Sequence, residues 1–342
     1  MKLINVERFN FLINSFKESK PILVVGDIGI DKYTSGDVKR ISPEAPVPVL
    51  EVTEEWEKLG LAANVSDNLK SLGLYSTLCG VIGNDTRAEV LERLIEEKGL
   101  KTWGLVREDH RLTTYKERIT TKSQQICRVD YESKDPIKDD TRKRFNSRLN
   151  EFVSNHAGLI IEDYGKGLLS EDLCQTLIKN FKDKGHFVAV DPSRQTPAHW
   201  YRGAHLLKPN KVEAELMVQH LGFPNPKSVD EMATILMDKL NLEKVLITLG
   251  SQGMALLDRS LGQKVDYIPT VANEVFDVSG AGDTVISIVT AAIVNGATLE
   301  EAAWLGNCAA GVVVSKRGTA LCSIDELKEF YANLSRALAK KV

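Results

Sequence analysis

Five short runs in this 342-residue chain are apolar at nearly every position, at 22–25, 158–161, 187–190, 204–207 and 245–249. A strand of that kind has no face to show to water, so it belongs inside a largely parallel sheet covered on both sides. Helix-like stretches at 170–184 and 228–240 fall between such runs. This β-α alternation predicts an α/β fold with a doubly wound, mostly parallel sheet and helices on both faces. The runs end in polar or glycine-bearing segments: Gly26-Asp27, Glu162-Asp163-Tyr164-Gly165-Lys166-Gly167, Asp191-Pro192-Ser193, Lys208-Pro209-Asn210-Lys211-Val212-Glu213 and Gly250-Ser251-Gln252-Gly253. In open α/β sheets ligands bind at the carboxyl ends of strands, so these groups should line one crevice.

Elsewhere the pattern reads as helices over 1–20, 60–72, 85–98, 139–155, 299–315 and 323–340, with a strand over 75–81. Two excursions break the rhythm. In the first, 32–57, the run Ser42-Pro43-Glu44-Ala45-Pro46-Val47-Pro48 excludes helix, and 47–52 alternates as an edge strand does. In the second, 112–132, strands at 113–120 and 124–131 are joined by Thr121-Lys122-Ser123. Together they predict a small β-lid over the main sheet. The lid strands carry Lys116, Arg118 and Arg128, which are either ligand-facing cations or a solvated face. No linker, repeat or low-complexity tract divides the chain, which reads as a single domain over 1–342.

The stretch Asp277-Val278-Ser279-Gly280-Ala281-Gly282-Asp283-Thr284 precedes an apolar helix beginning near Val285. A glycine turn feeding a helix N-terminus presents free N–H groups and a positive dipole end, which suits an anion. Asp283 stands where a base for a hydroxyl attacking a phosphate would sit, among groups expected to favour its charged form. The alternative is that Asp283 merely caps the helix and the glycines merely turn the chain. Other nucleotide and hydrolase patterns fail. Gly165-Lys166-Gly167 has no following Ser or Thr and no upstream glycine at Walker spacing, and Gly280-x-Gly282 lacks the third glycine of a dinucleotide fingerprint. There is no Gly-x-Ser-x-Gly elbow.

Charge excludes other classes. Lys and Arg number 44 against 47 Asp and Glu, a balance of -3, which argues against a nucleic-acid or membrane-surface partner. The start lacks a signal peptide's apolar core, and no apolar run reaches the ~20 residues of a membrane helix. Five scattered cysteines and six histidines without ligand spacing fit neither a disulfide framework nor a zinc site, and the expected location is cytoplasmic.

Asp277-x-Ser279-Gly280-Ala281-Gly282-Asp283 resembles the signature of the ribokinase-like (PfkB) carbohydrate kinases. Gly26-Asp27, Asp31, Gly60 to Asn64, Asn210 with Glu213, and Thr248 to Gly253 follow in the family's order. Within it, Arg40-Ile41-Ser42-Pro43-Glu44-Ala45-Pro46-Val47-Pro48-Val49 is similar to kinases of D-glycero-D-manno-heptose 7-phosphate, as are Asp163-Tyr164-x-Lys166-Gly167, Asp191-Pro192 and Gln124-Gln125-x-x-Arg128-x-Asp130. Such enzymes phosphorylate the anomeric hydroxyl, giving the 1,7-bisphosphate used for ADP-heptose and lipopolysaccharide core synthesis. The resemblance implies that Asp283 is the base and that Gly280, Ala281 and Gly282 form the anion hole. It implies Asp31, Gly60, Asn64, Asp163 and Lys166 at the sugar, with Lys116, Arg118 and Arg128 as candidates for its 7-phosphate. It implies ATP held by Thr248, Gly250, Ser251, Gly253 and Asn307, and magnesium organised by Asn210 and Glu213 through water. One position departs: the family pattern has a second glycine where this chain has Leu61. Another sugar or sugar phosphate, or a non-catalytic sugar-phosphate sensor, are the alternatives. The adenylyltransferase unit fused to some members is expected to be absent. The lid's edge strands offer a route to a homodimer.

Overall fold

The computed structural model describes residues 3–121, 124–262, 264–272 and 274–339. In chain order its elements are α1 (Val6–Ser15), β1 (Ile22–Gly26), β2 (Ile28–Ile41), β3 (Pro48–Leu61), α2 (Ala62–Ser71), β4 (Ser76–Gly83), α3 (Thr86–Glu97), β5 (Gly104–Glu108), β6 (Thr114–Thr120), β7 (Gln125–Tyr131), α4 (Asp139–Phe152), β8 (Gly158–Glu162), α5 (Glu171–Lys182), β9 (Phe187–Asp191), β10 (Leu206–Leu207), α6 (Lys211–His220), α7 (Val229–Lys239), β11 (Lys244–Thr248), β12 (Met254–Asp258), β13 (Asp266–Ile268), α8 (Ala281–Val294), α9 (Leu299–Val314) and α10 (Ile324–Ala339).

Nine strands form the main sheet in the order β13-β12-β11-β10-β9-β8-β1-β4-β5. From β11 to β5 the pairing is parallel, and β12 and β13 add antiparallel at one end. The apolar runs are buried as their composition requires, and their alternation divides the core in two. Val24, Ile160, Ala189, Leu206 and Leu246 pack with α2, α8 and α9. Val25, Ile161, Val190, Leu207 and Ile247 pack with α5, α6 and α7. Helix α8 is buried from Asp283 through Ala292, in keeping with a sequence that is apolar nearly all round.

The two excursions combine into one four-stranded sheet, ordered β3-β2-β6-β7. Strands β2 and β3 pair antiparallel over almost their whole 14 residues each. Strand β6 joins β2 in parallel, and β7 returns antiparallel. This sheet reaches further than 32–57 and 112–132 suggested, since β2 begins at Ile28 and β3 ends at Leu61. Lys122 and Ser123 of the expected 121–123 turn lie outside the described residues. A single residue, Asp27, separates β1 from β2, and none separates β3 from α2.

Several elements differ from the sequence reading. Gly60 and Leu61 do not open the helix. They complete β3, pairing with Gly29 and Ile28, and the Ala62 N–H then donates to the Asp27 carbonyl at 3.0 Å. Strands β5, β12 and β13 and helix α6 were not anticipated. After β11 the chain turns back as a hairpin at Gly253 instead of crossing over through a helix, so strict β-α alternation misleads there. Helix α6 has only a weak apolar stripe, with three buried residues in ten, and relies on its N-terminal cap.

Leu61 has φ 59 and ψ -139, a backbone region suited to glycine, yet it is only 5% exposed. A side chain there costs about 1–3 kcal/mol of backbone strain. Gly29 makes room for it, since a Cβ at Gly29 would lie 3.0 Å from Leu61 Cδ1. Deleting a buried leucine ordinarily costs about 2–5 kcal/mol. Leu61→Gly should therefore destabilise by less than about 4 kcal/mol in urea unfolding, because released strain offsets lost burial. A loss above about 5 kcal/mol would show that no strain is released.

Candidate active site

Gly280 caps α8 in the left-handed region at φ 78. A Cβ on it would stand 2.7 Å from Thr319 Cγ2 and 3.0 Å from Asn64 Nδ2, so glycine is required both for the turn and for the close approach. Asp277 braces the turn, accepting from the Ser279 N–H at 2.9 Å and the Gly318 N–H at 3.1 Å. Asp283 lies in the first turn of α8 and does not cap it. Asn64 Nδ2 donates to its Oδ2 at 2.7 Å, and the Tyr164 hydroxyl donates to its Oδ1 at 2.9 Å. Burial raises the Asp283 carboxyl above its ordinary value, and the two donors only partly oppose this. The expectation that the helix start favours its charged form is thus outweighed by desolvation. The raised value suits a group that must accept a proton.

Register brings further carboxylates to the same spot. Glu162 and Asp191 end adjacent parallel strands and pair with each other, so their side chains emerge on one face of the sheet. That face carries Ile160 and Ala189 against α8. One oxygen each of Glu162, Asp191 and Asp283 lie within 4.8 Å of one another, all three residues buried. Lys208, following β10, is buried with its Nζ 2.7 Å from Asp191 Oδ2. Burial pushes Asp191 up to about 7 despite that ammonium, and burial with the Asp191 charge pushes Glu162 well up. The same Nζ would be 3.5 Å from a Cβ on Gly282, so a cation sits against the glycine turn.

A cavity of about 730 Å³ opens over this floor. Gly280, Ala281, Gly282, Asp283, Asp163, Asn210, Glu213, Thr248, Gly250, Ser251, Gly253 and Asn307 all line it, as do Glu162, Asp191 and Lys208. Asn307 Nδ2 donates to the Pro269 carbonyl at 2.7 Å, which fixes one wall. Asn210 and Glu213 form a reciprocal capping box on α6: Asn210 Oδ1 accepts from the Glu213 N–H at 3.0 Å, and Glu213 Oε2 accepts from the Asn210 N–H at 2.8 Å. Arg194 Nε faces Glu213 Oε1 at 3.7 Å.

The remaining expected residues lie outside the cavity lining, and only some of them cluster. Asp31 accepts from Arg118 Nη1 at 2.6 Å and from the Thr319 hydroxyl at 3.2 Å, and Gly60 packs against its carboxyl carbon. Asn64 reaches the site through Asp283. Lys116 Nζ lies 5.1 Å from the centre of the Tyr164 ring, and burial together with Lys166 lowers its pKa. Lys166 is paired with Glu132 at 2.6 Å. Arg128 is half-exposed and paired with Asp130 on its own strand at 2.8 Å, in register opposite Arg118 on β6. Asp163 spends both oxygens on scaffold: Oδ1 accepts from the Gly165 N–H, and Oδ2 accepts from the hydroxyls of Thr196 and Tyr201.

Sequence reasoning gave Glu162, Tyr164, Asp191 and Lys208 no individual role beyond lining the crevice, and gave Thr319 none. Four of them stand at or just past the end of an apolar run, the one signal that could have singled them out. Asp27 belongs to the same rim. Its Oδ2 accepts from the N–H groups of Tyr164 and Lys166, both at 3.0 Å, and shapes the loop that carries Tyr164.

A profile described as pfkB family carbohydrate kinase matches residues 22–326. The chain is 40% identical over 308 residues to Bifunctional protein HldE of Helicobacter pylori (strain J99), covering 90% of this chain and 65% of that protein. It is 40% identical over 316 residues to Bifunctional protein HldE of Sulfurimonas denitrificans, covering 92% and 65%. The chain thus spans about 65% of the length of these curated relatives. Among solved structures, Arabidopsis thaliana ribokinase complexed with ribose and ATP superposes with a TM-score of 0.71 at 20% identity, covering 92% of this chain and 99% of that one. Escherichia coli phosphofructokinase-2 in complex with substrates and products gives a TM-score of 0.75 at 20% identity, covering 92% and 99%. These two share the fold.

Asp27 supplies a test of the rim. Burial and the nearby Asp163 push its carboxyl up to about 6. An acid with a raised folded pKa holds its proton in the folded chain where the unfolded chain has lost it, so stability falls as pH rises from about 4 to about 6. Asp27→Asn keeps an oxygen for both N–H donors and cannot ionise. In urea unfolding its stability relative to wild type should rise across that window. A constant difference would mean that Asp27 ionises as it does in the unfolded chain.

Proposed function

From the premise that the chain belongs to the pfkB family of carbohydrate kinases, we propose that it transfers the γ-phosphoryl group of ATP to the anomeric hydroxyl of D-glycero-D-manno-heptose 7-phosphate. The observation that carries the chemistry is Asp283, a buried carboxylate in the first turn of α8, beside the Gly280 turn and at the floor of the cavity. Asp283 takes the hydroxyl proton. The sugar oxygen then bonds to the γ-phosphorus as the bond to the β-phosphate oxygen breaks, and ADP leaves with its new charge. The Gly280 and Gly282 N–H groups would face the charge developing on the transferred group, whereas the Ala281 N–H, expected to join them, donates to the Val278 carbonyl at 3.2 Å. Burial keeps the Tyr164 phenol protonated, so it remains a donor that orients the base. Magnesium bound with the nucleotide would offset phosphate charge, and the acidic wall of Glu162, Asp191 and Glu213 is where it would be held.

The sugar phosphate belongs beneath the small sheet. Arg118, Arg128 and Lys166 are each paired with a carboxylate, whereas Lys116 has none within salt-bridge distance among the described residues. A largely buried ammonium without a carboxylate suits a phosphate dianion. Lys116 is therefore the first choice for the 7-phosphate, with Lys166 beside it. Among the described residues no helix is long and apolar enough to cross a membrane, and the reading places this kinase in the cytoplasm as one domain with a β-lid. The edges of that lid, β3 and β7, are where a homodimer would form.

One observation favours a second reading, a kinase for a different phosphorylated sugar. Leu61 stands in a glycine backbone conformation beside Gly29 and next to Gly60, which packs on Asp31. ATP consumption measured against a panel of phosphorylated and free sugars separates the readings. Highest kcat/KM with the heptose 7-phosphate supports the first, and turnover with no sugar at all overturns both.

Two variants test the assignments. Asp283→Asn should lower kcat by roughly two to four orders of magnitude with nucleotide affinity little changed. Activity within a few-fold of wild type would remove Asp283 from the base role. Lys116→Ala should raise KM for the phosphorylated sugar more than for the same sugar without phosphate, and equal effects would leave Lys116 a packing residue.

A further inference from the structure

A line of polar side chains crosses an otherwise apolar contact between α2 and α8. Val65 and Leu69 of α2 share one core with Val285 and Ile288 of α8. Asn64, Asn68, Asp283 and Thr284 are nevertheless buried with them. Polar groups buried so deeply are costly unless each is bonded, and here they bond in sequence. The Thr284 hydroxyl donates to Asn68 Oδ1 at 2.8 Å. Asn68 Nδ2 donates to the Asn64 carbonyl at 2.8 Å and reaches Asn64 Oδ1 at 3.4 Å. Asn64 Nδ2 donates to Asp283 Oδ2 at 2.7 Å. Asn68 follows Asn64 by one turn of α2, which is why the two side chains meet.

The line has a direction. An asparagine amide fits its place either way round, and its partners decide which end donates. A backbone carbonyl can only accept, so the Asn64 carbonyl holds Asn68 with its nitrogen toward Asn64 and its oxygen toward the Thr284 hydroxyl. That leaves the Asn64 amide one favourable orientation, oxygen toward Asn68 and nitrogen toward Asp283. Turned over, it would set donor against donor at Asn68 and oxygen against oxygen at Asp283. The charge on Asp283 enforces the same orientation only until the carboxylate has taken the hydroxyl proton. A neutral acid can donate to a turned Asn64 oxygen, and the proton would then be held between acid and amide. The constraint from Asn68 does not depend on that charge.

We propose that Asn68 is a positioning residue for the base, keeping the Asn64 nitrogen toward Asp283 throughout the reaction cycle. Asn68 stands outside the cavity lining and acts only through Asn64. It is not the sole tie between the helices, since the Ser287 hydroxyl reaches the Val65 carbonyl at 3.2 Å. Nor does losing it orphan Thr284, whose hydroxyl has the Gly280 carbonyl as a second acceptor at 3.1 Å. The inference rests on the reading of Asp283 as the base that accepts the sugar hydroxyl proton.

The test is a double-mutant cycle read by steady-state phosphotransfer. Asn68→Leu, close in shape, removes both ends of the amide. It should lower kcat roughly ten- to hundredfold, the scale of one lost hydrogen bond to a charged group. KM for ATP should stay within about twofold of wild type, since no nucleotide contact changes. In an Asn64→Ala background the same substitution should change kcat by less than about twofold, because the amide it orients is gone. An equal fall in both backgrounds would make Asn68 a tie between helices and overturn the proposal, as would an unchanged kcat in Asn68→Leu alone. If Asn68→Leu does not fold, Asn68→Ser carries the same comparison, because it keeps a hydroxyl in the line and has no second hydrogen for Asn64 Oδ1. A measurement without substrate stands apart from the kinase reading. The side-chain amide hydrogens of Asn64, identified in NMR spectra by their loss in Asn64→Ala, should exchange with solvent at least about tenfold faster in Asn68→Leu than in wild type. Unchanged exchange would overturn the proposal. Failure of wild type to phosphorylate any sugar would overturn the kinase reading and leave the exchange result to decide whether Asn68 holds Asn64.

Discussion

Asp283 is fixed by two donors from distant parts of the chain, Asn64 on α2 and Tyr164 just past β8, at 2.7 and 2.9 Å. A carboxylate buried without such partners would lose its charge or distort the helix start around it. The two bonds therefore do more than position one side chain. They tie the end of β8, the start of α2 and the N-terminus of α8 into a single corner. Gly280 is part of the same corner, since a side chain there would collide with Asn64 and Thr319. The cavity exists because this corner is held open on one side by α8 and closed below by Glu162 and Asp191.

The small sheet is fastened to the corner by polar contacts. Tyr33 on β2 receives the Thr319 N–H at 3.0 Å, and Lys58 on β3 donates to the Thr319 carbonyl at 2.8 Å. Asp31 accepts from the Thr319 hydroxyl, and Arg118 from β6 closes on Asp31. One short segment after α9 thus meets two strands of the small sheet directly and β6 through Asp31, while Asp277 holds the neighbouring Gly318 N–H and braces the α8 turn. The small sheet and the Gly280 turn share a support.

How far the sequence could be read depends on the range of the interaction involved. The apolar runs report burial directly, so the parallel sheet and its rim of polar strand ends were legible. So was the glycine turn ahead of Asp283, because it is a local backbone requirement. The Glu162–Asp191 pairing was not, because it needs the register between two strands separated by a helix, and a slip of one residue would turn one of them to the other face. Nor could the sequence distinguish Lys116 from Arg118 and Arg128. All three are cations on lid strands; Lys116 stands in register beside both Asp31 and Asp130, yet the carboxylates of those residues pair with Arg118 and Arg128. Asn210 and Glu213 were readable as a motif, and their spacing also builds the capping box that starts α6.

The near absence of chain between the two sheets has a mechanical consequence. Strand β2 leaves β1 across one residue, and β3 enters α2 with none. Each of these strands has 14 residues, or about 45 Å at roughly 3.3 Å per residue. A pair that long, joined directly at its root and bent by irregularities at Ser35–Gly36 and Val38–Arg40, forms a long lever. A turn of about ten degrees at Asp27 and Leu61 would carry the far tip roughly 8 Å, with the ladder between β2 and β3 left intact. The backbone at Leu61, already in a region costly for a leucine, is one of the two points about which the lever turns. The torsional stiffness of this arm is therefore set by a residue at its fulcrum.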